Sequence, residues 1–292
     1  MLEVVLTGTG VPHPAPGRAG AGVLVRYRDG DRRVNLQFDA GRSTVLRLSE
    51  AGVIPPKLSA VFLTHLHSDH VIDLADVVIT HWVQQQLHRS SPLTIVAPEG
   101  PTADFVRHVL DAYDDDVHVR MEHTGAPRPN FDLAPFVAAF EPHVVWRDVD
   151  AGLSVTAVAV HHEPVPDAVA YRIDSPSGSV VISGDTRVCR EVEELSRGAD
   201  LLVHEVCRRQ AMQAAIAGTV FENIFSYHAD SVELGEMAER AGVPRLVLTH
   251  LIPQPNDEND EAAFADDVRR GGYRGDLTVG RDLMSFRVGS AI

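Results

Sequence analysis

The sequence is poor in cysteine, poor in positive charge and free of long apolar runs. Only two cysteines, Cys189 and Cys207, stand among 292 residues. They form no disulfide framework, and neither belongs to a CxxC pair, which argues against a thiolate zinc site. Each reads as a reduced, buried thiol in a reducing compartment, the cytoplasm. No stretch reaches the length of a transmembrane span, so no membrane partner is expected. The start, MLEVVLTGTGVPH, lacks the basic region and apolar run of a secretory signal. Thr7-Gly-Thr-Gly10 is a glycine turn without the helix start that a dinucleotide fingerprint needs. Asp114-Asp-Asp116 lacks EF-hand spacing and reads as a solvated acidic loop. No repeat period and no low-complexity linker divides the chain, which reads as a single domain over 1–292. Basic residues number 26 against 41 acidic ones, for a formal net charge of −15. A protein that holds nucleic acid by its phosphates needs a basic surface. The acidic average argues against a large polyanionic substrate, although it leaves room for a local basic patch.

Histidine, by contrast, is abundant, with fifteen residues. Four metal-capable side chains fall within His65-Leu-His67-Ser-Asp69-His70. An apolar run, Leu58–Leu63, precedes them and reads as a buried strand. An amphipathic stretch, Val71–Leu87, follows and reads as a helix. In extended backbone His65 and His67 point to the same side, so both imidazoles can reach one ion. Asp69 and His70 sit where the helix begins and can face a second ion. Ser68 or Asp69 could instead cap that helix, but a cap does not explain three histidines in six positions.

Further metal-capable groups stand at the ends of predicted strands. They are His161-His162 after 153–160, Asp185 after 180–183, Glu205 at the end of 201–205 and His250 at the end of 246–250. His228 lies in a loop. Asp39, after strand 34–38, reads as a residue that orients a ligand histidine or the metal loop. Helices are expected after Gly41 to Glu50, near 102–113, over 189–197 and 231–241, and from 256, with a helical region to about 217. Residues 117–150 read as loops and short strands. Groups at strand ends can converge at one edge of a sandwich, as a two-metal site requires.

These motifs resemble the metallo-β-lactamase superfamily, through HxHxDH at 65–70, a later histidine, Gly184-Asp185 and His250. The similarity is greatest to its ribonuclease Z and arylsulfatase-like branch, carried by Thr7-Gly-Thr-Gly-x-Pro12, Phe38-Asp-Ala-Gly41, Ser183-Gly-Asp-Thr-Arg187, His204-Glu205 and Leu248-Thr-His250. The resemblance implies an α/β, four-layer αββα sandwich. It implies that His65, His67 and His162 bind one zinc, that Asp69, His70 and His250 bind a second, and that Asp185 bridges them. His161 competes for the third-histidine place, but His162 fits the spacing better. A formal count of two Zn²⁺ against Asp69, Asp185 and a bridging hydroxide leaves about +1, which suits an anionic ester. Zinc lowers the pKa of bound water to about 7, and an N and O donor set also admits manganese or iron. His228 would stay free of metal, held by Glu205, to donate to the ester oxygen or the leaving group. The branch usually carries hydroxyl residues after that histidine, whereas this chain has Ala229-Asp230. His13, His81, His88, His108, His118, His123, His143 and His204 read as structural or exposed, with His13 and His81 as potential pocket lining.

The resemblance leaves the substrate open. Ribonuclease Z proteins usually carry a long basic arm between the positions of His162 and Asp185, and only a hairpin fits here. The first expectation is therefore a zinc-dependent hydrolase of a small anionic ester, a phosphodiester or an aryl sulfate, with Asp69, Glu205 and His228 in catalytic roles. A tRNA 3′-processing endonuclease is the second expectation. A non-hydrolytic metal-binding or redox protein is the third. A homodimer is expected from the branch.

Overall fold

The computed structural model describes residues 1–88 and 90–289. Strands β1 (Leu2–Gly8), β2 (Gly22–Asp29), β3 (Arg32–Phe38), β4 (Ala60–Phe62), β5 (Leu93–Pro98) and β6 (Phe131–Phe136) build the first sheet. Strands β7 (His143–Asp148), β8 (Leu153–Ala159), β9 (Val169–Ser175), β10 (Gly178–Ile182), β11 (Leu201–Cys207), β12 (Arg245–Ile252) and β13 (Asp276–Val279) build the second. The last strand, β14 (Ser285–Val288), returns to the first sheet, whose order is β14-β1-β2-β3-β4-β5-β6. The second sheet runs β13-β12-β11-β10-β9-β8-β7.

Alternation along the strands explains the layers. Val180 and Ile182 of β10 face the space between the sheets, while Val181 joins the apolar layer on the other face. Likewise Ala60 and Phe62 of β4 face the other sheet, and Val61 packs towards helices. Strands buried on both faces carry near-continuous apolar runs, and these do. Helices α1 (Thr44–Glu50), α2 (Ser68–Val71), α3 (Leu74–His88), α4 (Pro101–Arg107) and α5 (Asp114–Thr124) follow the strands of the first sheet. Helices α6 (Arg190–Ser196), α7 (Arg209–Ile216), α8 (Val220–Ser226), α9 (Ser231–Ala241) and α10 (Glu258–Arg270) belong to the second half. Leu234 and Met237 of α9 and Phe264 of α10 close the outer core there. The result is the expected αββα sandwich. No described helix is long and apolar enough to cross a membrane.

Several local expectations change. The acidic triplet 114–116 is the first turn of α5, where carboxylates complement the helix dipole. Residues 117–150 therefore hold the rest of that helix as well as two strands. The helix after the histidine motif is broken into α2 and α3. His67 occupies the N-terminal capping position of α2 without a side-chain cap bond, so neither Ser68 nor Asp69 caps it. The helical region expected to stop near 217 continues as α8 to Ser226. Helix α10 is capped by Asp257 and extends to Arg270.

Candidate metal centre

Sheet register brings the site together. Parallel pairing of β3 and β4 places Phe38 beside Phe62, so Asp39 and Thr64 emerge side by side. Thr64 donates to Asp39 from its backbone N–H at 2.8 Å and from its hydroxyl at 2.9 Å. The Tyr171 hydroxyl reaches across from the second sheet and donates to the Leu63 carbonyl at 2.6 Å. Gly184 has φ of +59°, and a Cβ there would lie 2.8 Å from the Val169 carbonyl, so only glycine admits this close turn before Asp185.

A bulge places His250. Glu205 pairs with Thr249 and Val206 with Leu251, which leaves His250 as the extra residue, at φ of +45°. Bulges re-aim side chains in this way beside sites.

The ring and carboxylate atoms converge as two main sets, and a third, Asp185 with His228 and His250, overlaps them. His65, His67, His162 and Asp185 offer ligand atoms within 4.8 Å of one another, as do Asp69, His70 and His250. His67 Nδ1 lies 3.0 Å from His65 Nε2 and 3.1 Å from His162 Nε2. Asp185 stands between the sets. Its Oδ2 is 3.9 Å from His65 Nε2, 3.8 Å from His162 Nε2 and 3.4 Å from His250 Nε2, and its Oδ1 is 3.3 Å from His70 Nε2. Asp69 Oδ2 lies 3.2 Å from His250 Nε2.

The protons these side chains carry suit them to hold a cation. The Thr64 hydroxyl has one proton, directed to Asp39, and so accepts from His65 Nδ1–H at 3.0 Å. His162 Nδ1–H donates to the Tyr227 carbonyl at 3.3 Å. Both rings therefore turn a bare Nε2 towards His67, where a single proton cannot satisfy both. His70 Nδ1–H donates to Asp39 at 2.7 Å, and its buried Nε2 has no hydrogen-bond partner. Burial holds His162 down at about 4 and His65 well below the usual imidazole value, which keeps both in the neutral, metal-binding form. Burial works against a charged His70 too, but Asp185, Asp39 and Asp69 outweigh it and raise His70 well above its ordinary value. Three buried carboxylates thus call for positive charge at this point.

Asp39 is an orienting residue, as the sequence suggested, and acts on both ligand sets: on His70 directly and on His65 through Thr64. Loss of such a partner typically costs 10–100-fold in metal affinity. Asp39→Asn is accordingly expected to raise the zinc Kd about 10–100-fold. A competition titration against a chromogenic chelator would show it, and an unchanged Kd would refute the relay.

Glu205 and His228 form a separate pair. His228 Nδ1–H donates to Glu205 at 2.9 Å, and Glu205 Oε1 also accepts from the Thr186 backbone N–H at 2.7 Å. His228 is buried beside the cluster. Burial opposes its charge, yet Glu205 carries its pKa up to about 9. His161 points elsewhere: its ring stacks on Phe140 at 5.2 Å and its Nε2 lies 3.4 Å from Glu191. His162 therefore takes the place at the cluster. His81 is buried on α3 away from the cavity, whereas His13 lines it. His204 is buried with Nδ1 on the Glu205 carbonyl.

A cavity of about 710 Å³ opens above these groups. His67, Asp69, Asp185, His228 and His250 form one end. Phe221, Ile224, Phe225 and Tyr227 form a wall that sequence reading missed. Its signal was present as apolar residues at i, i+3 and i+4 in a stretch left without firm structure.

A fold of this kind with this His/Asp cluster defines a metal-dependent hydrolase acting on ester bonds. The beta-lactamase superfamily domain matches residues 35–251. The chain is 37% identical over 293 residues to the ribonuclease Z of Mycobacterium bovis (strain BCG / Pasteur 1173P2), covering 99% of each. It superposes on the metallo-β-lactamase fold protein YhfI from Bacillus subtilis with a TM-score of 0.68 and 21% identity, covering 98% of this chain and 100% of that one. For human tRNase Z, short form, the TM-score is 0.66 at 19% identity, over 99% and 100% of the two chains. The chain belongs to the metallo-β-lactamase superfamily, in the branch of its ribonuclease Z relatives.

Proposed function

We propose that the chain is a zinc-dependent phosphodiesterase of ribonuclease Z type that cleaves RNA, with precursor tRNA 3′ trailers as its natural class of substrate. The observation that carries this is whole-length similarity to a ribonuclease Z, combined with two sets of metal-capable groups between which Asp185 stands. The missing basic arm favours a small anionic ester, and the β9–β10 hairpin does fill that interval. The relative, however, is matched over 99% of its own length, which leaves it no room for a long additional arm. Absence of the arm therefore does not separate this chain from proteins of that name.

His65, His67 and His162 would hold one zinc and Asp69, His70 and His250 the other, with Asp185 shared. Zinc bound there would supply Lewis acidity and bring the pKa of a water to about 7. Glu205 accepts the Nδ1–H of His228 and favours the charged ring, whose Nε2–H is then free to donate to a phosphoryl oxygen or the departing alkoxide. With its pKa raised, His228 is protonated below about 9 and loses its proton above. Activity is expected to fall as pH rises through that value, and His228→Gln should lose this alkaline limb along with most of kcat. A pH–rate profile with the same limb in the variant would remove His228 from this role.

A small aromatic ester is the second reading, favoured by the apolar wall of the cavity. Zinc-loaded protein should be assayed on a precursor tRNA, bis(p-nitrophenyl) phosphate and p-nitrophenyl sulfate. Trailer cleavage that weakens steeply with salt supports the first reading. Turnover of small esters alone supports the second. Inactivity on all three at full zinc loading defeats both. The site draws on both sheets, so residues 1–292 are taken to act as one domain, in the cytoplasm. The homodimer expected from the branch is testable by light scattering.

A further inference from the structure

The metal centre accounts for one end of the cavity and leaves the other unexplained. That other end is walled by α8. Phe221, Ile224 and Phe225 stand at i, i+3 and i+4 and share one face of this helix. Phe221 is 51% exposed, and its ring lies 5.7 Å from that of Phe225 at 33°. Phe225 packs on Val11, Cys207 and Ile252, so the wall has a fixed backing. Tyr227 continues it to the metal end, where its ring meets His162 at 5.3 Å.

Charge is absent from this half. Among the described residues no lysine or arginine lines the cavity, and the only carboxylates there are Asp69 and Asp185. Arg208 and Arg209, which lead into α7, are engaged by Asp267 and Glu233. A second phosphate would find no counter-charge here, whereas a planar uncharged ring would find aromatic faces. One further group selects among planar rings. Gln254 lines the same cavity, and both its side-chain oxygen and nitrogen are buried without a hydrogen-bond partner. A carboxamide offers one acceptor and two donors, the complement of a nucleobase edge that presents a donor beside an acceptor.

We infer that the α8 wall is a subsite for a single unstacked nucleobase attached to the scissile phosphate, stacked on Phe221 and Phe225 and read along its edge by Gln254. The inference rests on the phosphodiesterase reading for the position of the phosphate. Unpaired bases in RNA are recognised by stacking plus edge hydrogen bonds of this kind. A pocket of this volume suits a ligand of nucleotide size.

The test is binding of 2-aminopurine riboside 5′-monophosphate to zinc-loaded protein, because stacking on an aromatic ring quenches its fluorescence. Saturable quenching is expected in the wild type. Phe221→Ala, at a half-exposed position, and Phe225→Leu should each raise Kd about tenfold or more, since a stacked base is worth about 1–3 kcal/mol. Gln254→Met should weaken the nucleotide several-fold without weakening phenyl phosphate, measured by competition. In kinetics, the preference for thymidine 5′-(p-nitrophenyl phosphate) over methyl p-nitrophenyl phosphate, which share a leaving group, should fall at least tenfold in Phe221→Ala. Absence of quenching in the wild type, or equal Kd values in all variants, overturns the subsite. A Gln254 variant that loses both ligands equally, or neither, overturns its assignment to a nucleobase. Quenching without turnover of either ester would uphold the subsite and defeat the phosphodiesterase reading.

Discussion

Asp185→Asn is expected to lower kcat/KM by at least about a thousandfold while leaving the fold intact. The substitution keeps the side-chain volume and removes one negative charge at the point shared by both ligand sets. Asp185 is buried and lies 3.3–3.9 Å from ring nitrogens of His70, His250, His162 and His65. Among the described residues no other carboxylate contacts both sets in this way. Asp69 reaches His250 and His70, at 3.2 and 3.7 Å, and Asp39 faces the outer nitrogen of His70. An asparagine could offer one oxygen to one ion but would not carry the charge needed to hold the two proposed cations close together. Groups that act as a unit are non-additive, so the single change should remove most of the activity. Metal content by atomic emission is expected to fall below the wild-type stoichiometry, with far-ultraviolet circular dichroism unchanged. Wild-type metal content together with wild-type kcat/KM would exclude a bridging role.

Chelation of the bound metal is expected to abolish activity and to lower Tm on the order of 10 °C at neutral pH. A cation that binds only the folded state contributes about 4 kcal/mol at a thousandfold excess over its Kd, and ~1 kcal/mol shifts Tm by ~2–4 °C in a chain of this class. The size of the effect should depend on pH. Without metal, the charge on Asp39, Asp69 and Asp185 is met by the proton on His70, whose pKa is raised well above the ordinary imidazole value despite burial. A raised pKa means that the folded state binds this proton more tightly than the unfolded chain does. Its stabilisation is fully present below the ordinary imidazole value and is lost as pH rises through the folded one. Metal-free protein should therefore lose Tm with rising pH more steeply than zinc-loaded protein. The gap between the two forms should widen on the alkaline side. Differential scanning fluorimetry across pH, with and without chelator, reads this directly. A constant gap would show that His70 is not the group that replaces the metal charge. Restoration of activity by added zinc, and its failure with magnesium, would agree with a donor set of imidazoles and carboxylates.

Much of this protein is written locally. The density of HxHxDH marks a metal loop wherever it lies in a fold, because no cap or core pattern requires three histidines in six residues. Apolar runs ending in His162, Asp185, Glu205 and His250 give the strands and the fact that chemistry sits at their ends. Asp39 could be assigned an orienting role from its place after a strand. Other features depend on neighbours distant in sequence. The alternative of a cap by Ser68 or Asp69 is not realised, and the Asp69 carboxylate instead faces His250 across the sandwich. His250 reaches the centre through a bulge, a property of the pairing of two strands and of neither strand alone. The Asp39–Thr64–His65 relay exists because β3 and β4 pair in one register. His161 and His162 are adjacent and chemically identical, and only the packing of Phe140 against the one and Tyr227 against the other separates them. The α8 wall escaped because its apolar face is divided between a cavity and a small buried cluster behind it. Periodicity records that a face is apolar, whereas what lies opposite is set by the tertiary structure. The sequence by itself determined the metal-capable groups and the layered strands, since both depend on residue type and spacing. Only the tertiary structure decided which histidines converge, what orients them and what surrounds the substrate, since those depend on distances between parts of the chain that the sequence keeps far apart.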